Sequence, residues 1–146
     1  MLRIRSLDDV GEQIPALAAR IGVTWSMPML GSPHPPSAAA FVPIWKRPWM
    51  ALGTPTYGAS LLEHLGISNV FAGAGSYPET TLEAAAERSP TLVIAPSEPY
   101  PFGERQRAEL EAVAPTIFVD GKDLFWWGTR TVGALTRLAS ADLFHD

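Results

Sequence analysis

From residue 39 onward, short apolar runs alternate with amphipathic stretches, and this alternation is what most narrows the folds open to the chain. Ala39 to Trp45, Asn69 to Ala72, Thr91 to Ala95 and Thr116 to Val119 read as strands, the second of them short. Pro55 to Leu65, Thr80 to Arg88, Glu104 to Val113 and Thr129 to about Ala141 read as helices. Strands that are apolar at successive positions are buried on both faces, which parallel sheets with helices on either side require. The predicted fold class is therefore α/β: a three-layer lobe with a mostly parallel sheet flanked by helices, over residues 39–146.

An amphipathic helix and a proline-rich linker precede that lobe. Leu7, Val10, Ile14, Leu17, Ala18 and Ile21 recur at helical spacing behind Ser6, an N-cap candidate three residues before Asp9. Pro15 falls inside the pattern, where it costs a straight helix about 3 kcal/mol, so a kink or break is predicted near Gly11 to Ile14. Gly22 ends the helix, and Thr24 to Ser37 is too rich in proline and glycine for a helix or a central strand. The organisation is then a helical segment at 1–23, a Pro/Gly-rich linker at 24–38 and the lobe at 39–146.

With 146 residues, 47% of them hydrophobic and 18% charged, the chain has enough apolar material for one domain with its own core. A formal net charge of −4, scattered along the sequence, gives no footprint for nucleic acid or an anionic membrane surface. The absence of cysteine removes disulfides and Cys-rich zinc sites. No span approaches the ~20 apolar residues of a membrane helix, and the residues after Met1 lack the apolar stretch of a signal peptide.

Aromatic residues gather just beyond the predicted strand ends: Trp45 and Trp49, then Tyr100 and Phe102, then Phe125, Trp126 and Trp127. In open parallel sheets that edge is where ligands bind, because the strand-to-helix loops converge there. Prolines 43, 48, 55, 78, 96, 99 and 101 flank the same loops and stiffen them. The competing reading is that tryptophans cap the core from loops and prolines merely end strands. No catalytic residue and no metal ligand emerges. His34, His64 and His145 lie far apart, no Gly-x-Ser-x-Gly elbow is present, and Gly73-Ala74-Gly75-Ser76 lacks the Lys-Ser/Thr ending of a phosphate loop.

Tyr77-Pro78-Glu79-Thr80-Thr81-Leu82-Glu83, followed by Ala86 to Ile94 with its Ser89-Pro90, resembles a block of the helical-backbone substrate-binding proteins that serve ABC importers. Thr56 to Gly66 is similar to that family's helix ending in an LL…LG pattern. Asp123 to Arg130 is similar to its last cleft loop, and Phe41 to Met50 to a variant in a cobalamin-receptor-like branch. The resemblance covers roughly residues 40 to 142 and implies a carboxyl-terminal lobe, with residues 1–23 as a shortened remnant of the inter-lobe helix.

The resemblance further implies a transported ligand, cobalamin, haem or a ferric siderophore, in place of a prosthetic group. Tyr77 matches the aromatic lying against a planar ligand, and Trp126, Trp127 and Arg130 match the cleft loop, with Asp123 accepting a hydrogen bond there. Trp45, Trp49 and Tyr100 join the ligand-binding set from their place on the aromatic edge. Glu83 matches the glutamate that docks into arginines of the permease, although Thr80 to Glu83 also reads as a capping box needing no partner. Expected partners are a small-molecule ligand, an ABC permease, and either a homodimer or a missing amino-terminal lobe. The alternative is a non-transport interaction or regulatory domain derived from such a lobe. Localisation is extracytoplasmic by resemblance and cytoplasmic if the chain is complete.

Overall fold

A computed structural model describes residues 5–10, 12–13, 37–125 and 131–140. Four strands form a parallel sheet: β1 (Ala38–Phe41), β4 (Ile67–Asn69), β6 (Leu92–Pro96) and β7 (Thr116–Val119), in the order β4-β1-β6-β7. Ala40 faces Asn69 on one side and Leu92 on the other, and β6 runs beside β7 from Val93 opposite Thr116 to Pro96 opposite Val119. Successive side chains alternate between faces. Ala40, Leu92, Ile94, Ile117 and Val119 accordingly enter one core cluster, while Phe41, Val93, Ala95 and Phe118 enter the other.

Helices cover both faces. On the first lie α1 (Tyr57–His64), α4 (Gly121–Phe125) and α5 (Thr131–Ser140), which supply Leu61, Leu62, Leu124, Ala134 and Leu138. On the second lie α2 (Leu82–Glu87) and α3 (Arg107–Glu111), which supply Ala85 and Leu110. Thr56 caps α1: its Oγ1 accepts from the Ala59 amide at 3.2 Å and donates to the Gly53 carbonyl at 2.7 Å. The three-layer α/β lobe is thus present, with its sheet parallel throughout.

Residues 7–10 are helical, as predicted. Leu7 and Val10 enter the first cluster, and the Leu7 amide donates to Ser60 Oγ on α1 at 3.1 Å, so this segment is docked on the lobe. Pro15, Gly22 and nearly all of the linker lie outside the described residues.

Three expectations are corrected. The run from Ala39 to Trp45 is not one strand: it breaks at Val42, and β2 (Pro43–Trp45) turns away to pair with β3 (Trp49–Ala51), which pairs in turn with β5 (Glu79–Thr80), all antiparallel. Proline at 43 cannot donate to a ladder, so the chain leaves the main sheet at that point. The fourth parallel strand is Ile67–Asn69, with a turn over residues 70–73 where a strand to Ala72 was expected. Asn69 ends it by bonding both ways, Nδ2 donating to the Leu52 carbonyl at 2.7 Å and Oδ1 accepting from the Phe71 amide at 2.8 Å.

Finally, α2 starts two residues later than expected. Thr80 belongs to β5, and Thr81 is the N-cap, accepting from the Ala84 amide at 3.0 Å. Ala84 therefore holds the position a capping-box glutamate would need, and Glu83 sits one residue too early to reach back.

Candidate ligand-binding site

β1 connects to β4 on one side of itself, and the chain then crosses to β6 on the other, so the connections diverge between β1 and β6. A crevice opens beyond the carboxyl ends of strands at such a point. Here the β2–β3 hairpin follows β1, the 97–102 loop follows β6, and α4 follows β7. Between them lies a groove of about 700 Å³, open to solvent along one side and lined by Ile44, Met50, Tyr77, Glu98, Pro99 and Phe125. That volume suits a drug-sized or larger organic molecule. Among the described lining residues, only Tyr77 and Glu98 carry polar side-chain groups. A smaller recess of about 270 Å³ shares Tyr77 and Phe125 and adds Arg5, Thr56 and Ser76, so the polar groups concentrate at that end.

Tyr77 is 51% exposed, yet the backbone beneath it is fixed. The Gly53 amide donates to the Ser76 carbonyl at 2.8 Å and the Ala51 amide to the Pro78 carbonyl at 2.9 Å. Ser76 Oγ donates to the Pro55 carbonyl at 2.9 Å, and the Gly73 amide to Thr54 Oγ1 at 2.8 Å. An exposed ring on a loop clamped in this way is already ordered for a ligand, so little conformational entropy remains to be lost on binding. The close approach needs a glycine at 53, because a Cβ there would run into the Gly75 carbonyl oxygen.

Of the expected site residues that the structure describes, Tyr77 alone lines the groove. Trp45, Trp49 and Tyr100 come together, but with one another. Trp45 meets Tyr100 edge-on at 5.6 Å, Tyr100 meets Phe102 at 4.6 Å, and Phe102 stacks on Trp49 at 5.9 Å and 9°. Trp49 and Tyr100 pack against the second core cluster, and Lys46, ion-paired with Glu109, lies 5.6 Å over the Trp49 ring. Their immediate neighbours Ile44, Met50 and Pro99 form the groove wall instead. Alternation along the hairpin turns the indole at 49 to the opposite face from the groove.

Asp123 is corrected as well. The segment expected to be a cleft loop begins as helix α4, which points Asp123 at α5. Asp123 is 3% exposed, and its carboxylate accepts from Arg137 Nε at 3.0 Å to each oxygen and from Nη2 at 2.6 Å. This hydrogen bonding raises the Arg137 guanidinium further above its ordinary value. The pair ties α4 to α5 and leaves Asp123 no free face for a ligand. Trp126, Trp127 and Arg130 lie outside the described residues.

Glu98 was not anticipated. The signal was available, since Ser97-Glu98-Pro99 directly follows an apolar strand at the edge where ligands bind. Glu83 is exposed on α2, and no hydrogen bond or ion pair holds it among the described residues. No group of three or more His, Asp or Glu side chains among the described residues could hold a metal ion.

No family model and no curated protein matches the chain. Solved structures do. A periplasmic vitamin B12 binding protein of Vibrio cholerae superposes with a TM-score of 0.70 at 16% identity, over 95% of this chain and 62% of that one. A possible iron-binding periplasmic solute-binding protein from Staphylococcus epidermidis gives 0.68 at 14% identity, over 94% and 62%. A periplasmic haem binding protein of Vibrio cholerae gives 0.59 at 19% identity, over 91% and 53%. The chain spans less than two thirds of the length of each of these structures, and over that span it has the α/β fold of periplasmic solute-binding proteins.

Proposed function

We propose that the chain forms one wall of a solute-binding cleft for a large flat ligand of the corrinoid or iron-chelate kind, works outside the cytoplasm, and delivers that ligand to an ABC permease. The observation that carries this reading is the apolar groove of about 700 Å³ at the carboxyl ends of the sheet, with Tyr77 held exposed on its rim. Neighbours of the same fold are a vitamin B12 binding protein and a haem binding protein, which supports a ligand of that size and flatness. The shape and chemistry favour binding over catalysis: among the described residues the groove offers rigid aromatic and apolar surface with one carboxylate and no adjacent nucleophile and base.

One lobe covers one side of such a ligand. A second lobe, or a second copy of the chain, would cover the other, with residues 1–23 as the shortened connection and 24–38 as its linker. Titration of the purified chain with cyanocobalamin and with haemin, followed by tryptophan fluorescence, tests the reading. Saturable quenching by at least one is expected, since Trp45 and Trp49 adjoin residues of the groove wall. Absence of quenching by both at high micromolar concentration contradicts it.

Glu83 is the proposed permease contact, and its exposure without a capping bond supports that role. Glu83→Gln should leave ligand binding within about twofold, the usual range for a surface substitution, while lowering permease-dependent uptake several-fold. Unchanged uptake would remove Glu83 from the docking surface.

A further inference from the structure

We propose that Glu98 sets the class of ligand this groove accepts, by taking hydrogen bonds from N–H donors on an amide-fringed macrocycle and repelling a carboxylate-fringed one. The inference rests on the binding role proposed above and narrows it. Glu98 is the one charged side chain among the described residues lining the larger groove. It is partly buried there, and no hydrogen bond or ion pair engages its carboxylate among the described residues.

The backbone at Glu98 is fixed. The Ser97 amide donates to the Val119 carbonyl at 3.0 Å, and Ser97 Oγ accepts from the Gly121 amide at 3.0 Å. The start of α4 presses so closely on this loop that a Cβ at Gly121 would lie 2.5 Å from Glu98 Cγ and 2.7 Å from its backbone nitrogen and oxygen. The carboxylate is therefore delivered to the groove wall by a constrained loop instead of sweeping through solvent.

A partly desolvated carboxylate in an apolar wall is costly until donors reach it. A single carboxylate offers too few ligands to hold a metal ion by itself, and no cluster of further donors stands near it among the described residues. N–H donors carried by the ligand remain. Charge-assisted bonds of this kind are roughly twice as strong as neutral ones, and ionised carboxylates on a ligand would meet like charge at the same place. A corrinoid rim bears primary amides, whereas a porphyrin rim bears ionised propionates. The groove should therefore prefer the corrinoid.

The test compares cyanocobalamin and haemin on the wild-type chain and on Glu98→Gln, with thermal unfolding of each protein measured alongside. The wild type should bind cyanocobalamin more tightly. Glu98→Gln should weaken cyanocobalamin about tenfold, the scale of one charge-assisted hydrogen bond, while haemin affinity holds or rises and the unfolding temperature is unchanged. Equal losses for both ligands with a lowered unfolding temperature would mean that Glu98 only supports the loop. An unchanged cyanocobalamin affinity, or a wild type preferring haemin, would also overturn the inference while leaving the binding role intact. A wild type binding neither ligand would overturn the binding role and the inference with it.

Discussion

Gly53→Ala should destabilise the chain by about 3 kcal/mol, the upper part of the range for an overpacked site, lowering the unfolding midpoint by about 8 °C at this chain length. The added methyl would drive into the Gly75 carbonyl oxygen, with the Gly75 carbonyl carbon and Pro78 Cδ each 3.1 Å away. Two of these three obstacles are backbone. They cannot swing aside, because the Gly53 amide bonds Ser76 and an isolated bridge joins Thr54 to Gly75 on either side of the clash. Relief would require lifting the 73–78 loop from the strand end, which also displaces Tyr77. Circular dichroism melts give the stability change. A midpoint within about 2 °C of wild type, less than 1 kcal/mol at this size, would show that the loop is not clamped.

Most of the architecture was legible because the parallel strands are apolar at successive positions and bounded by proline or polar residues. Thr116 to Val119 forms β7 at the expected limits, and β6 is displaced by one residue from the expected Thr91 to Ala95. The small antiparallel sheet was not legible, for a physical reason. Glu79–Thr80 and Trp49–Ala51 are too short to display a period of two.

The groove wall lies one residue away from several of the aromatics singled out in the sequence: Ile44 beside Trp45, Met50 beside Trp49 and Pro99 beside Tyr100. The large aromatics dominate the sequence pattern at the strand ends, whereas Ile44, Met50 and Pro99 beside them line the groove. Which side of a short hairpin faces a cavity depends on where the chain leaves the main sheet. Val42, buried between β1 and β2 and bonded through its carbonyl to the Leu52 amide at 2.8 Å, marks that departure and has no distinctive sequence signature. Asp123 was misplaced for a related reason: its partner Arg137 lies one helix further on, beyond the reach of local pattern.

Tyr77→Ala should weaken cyanocobalamin binding about thirtyfold, equivalent to roughly 2 kcal/mol, with little effect on stability. The ring is about half exposed in the unliganded chain, so its loss removes few internal contacts. Against a flat ligand the same ring would bury much of its area, and at about 25 cal/mol per Å² an apolar area near 80 Å² yields that energy. The side chain also separates the apolar groove from the recess near Arg5, so both pockets lose a wall when it is truncated. Tyr77→Phe should retain most of the affinity, because stacking area and not the hydroxyl carries the effect.

Calorimetric titration of the wild-type and Tyr77→Ala chains with cyanocobalamin bears most directly on the claim that this groove is a ligand site. Saturable binding by the wild type and a loss of about thirtyfold in the variant, at an unchanged melting midpoint, is the predicted result. Equal affinity in the two proteins, or no binding by the wild type, would contradict it.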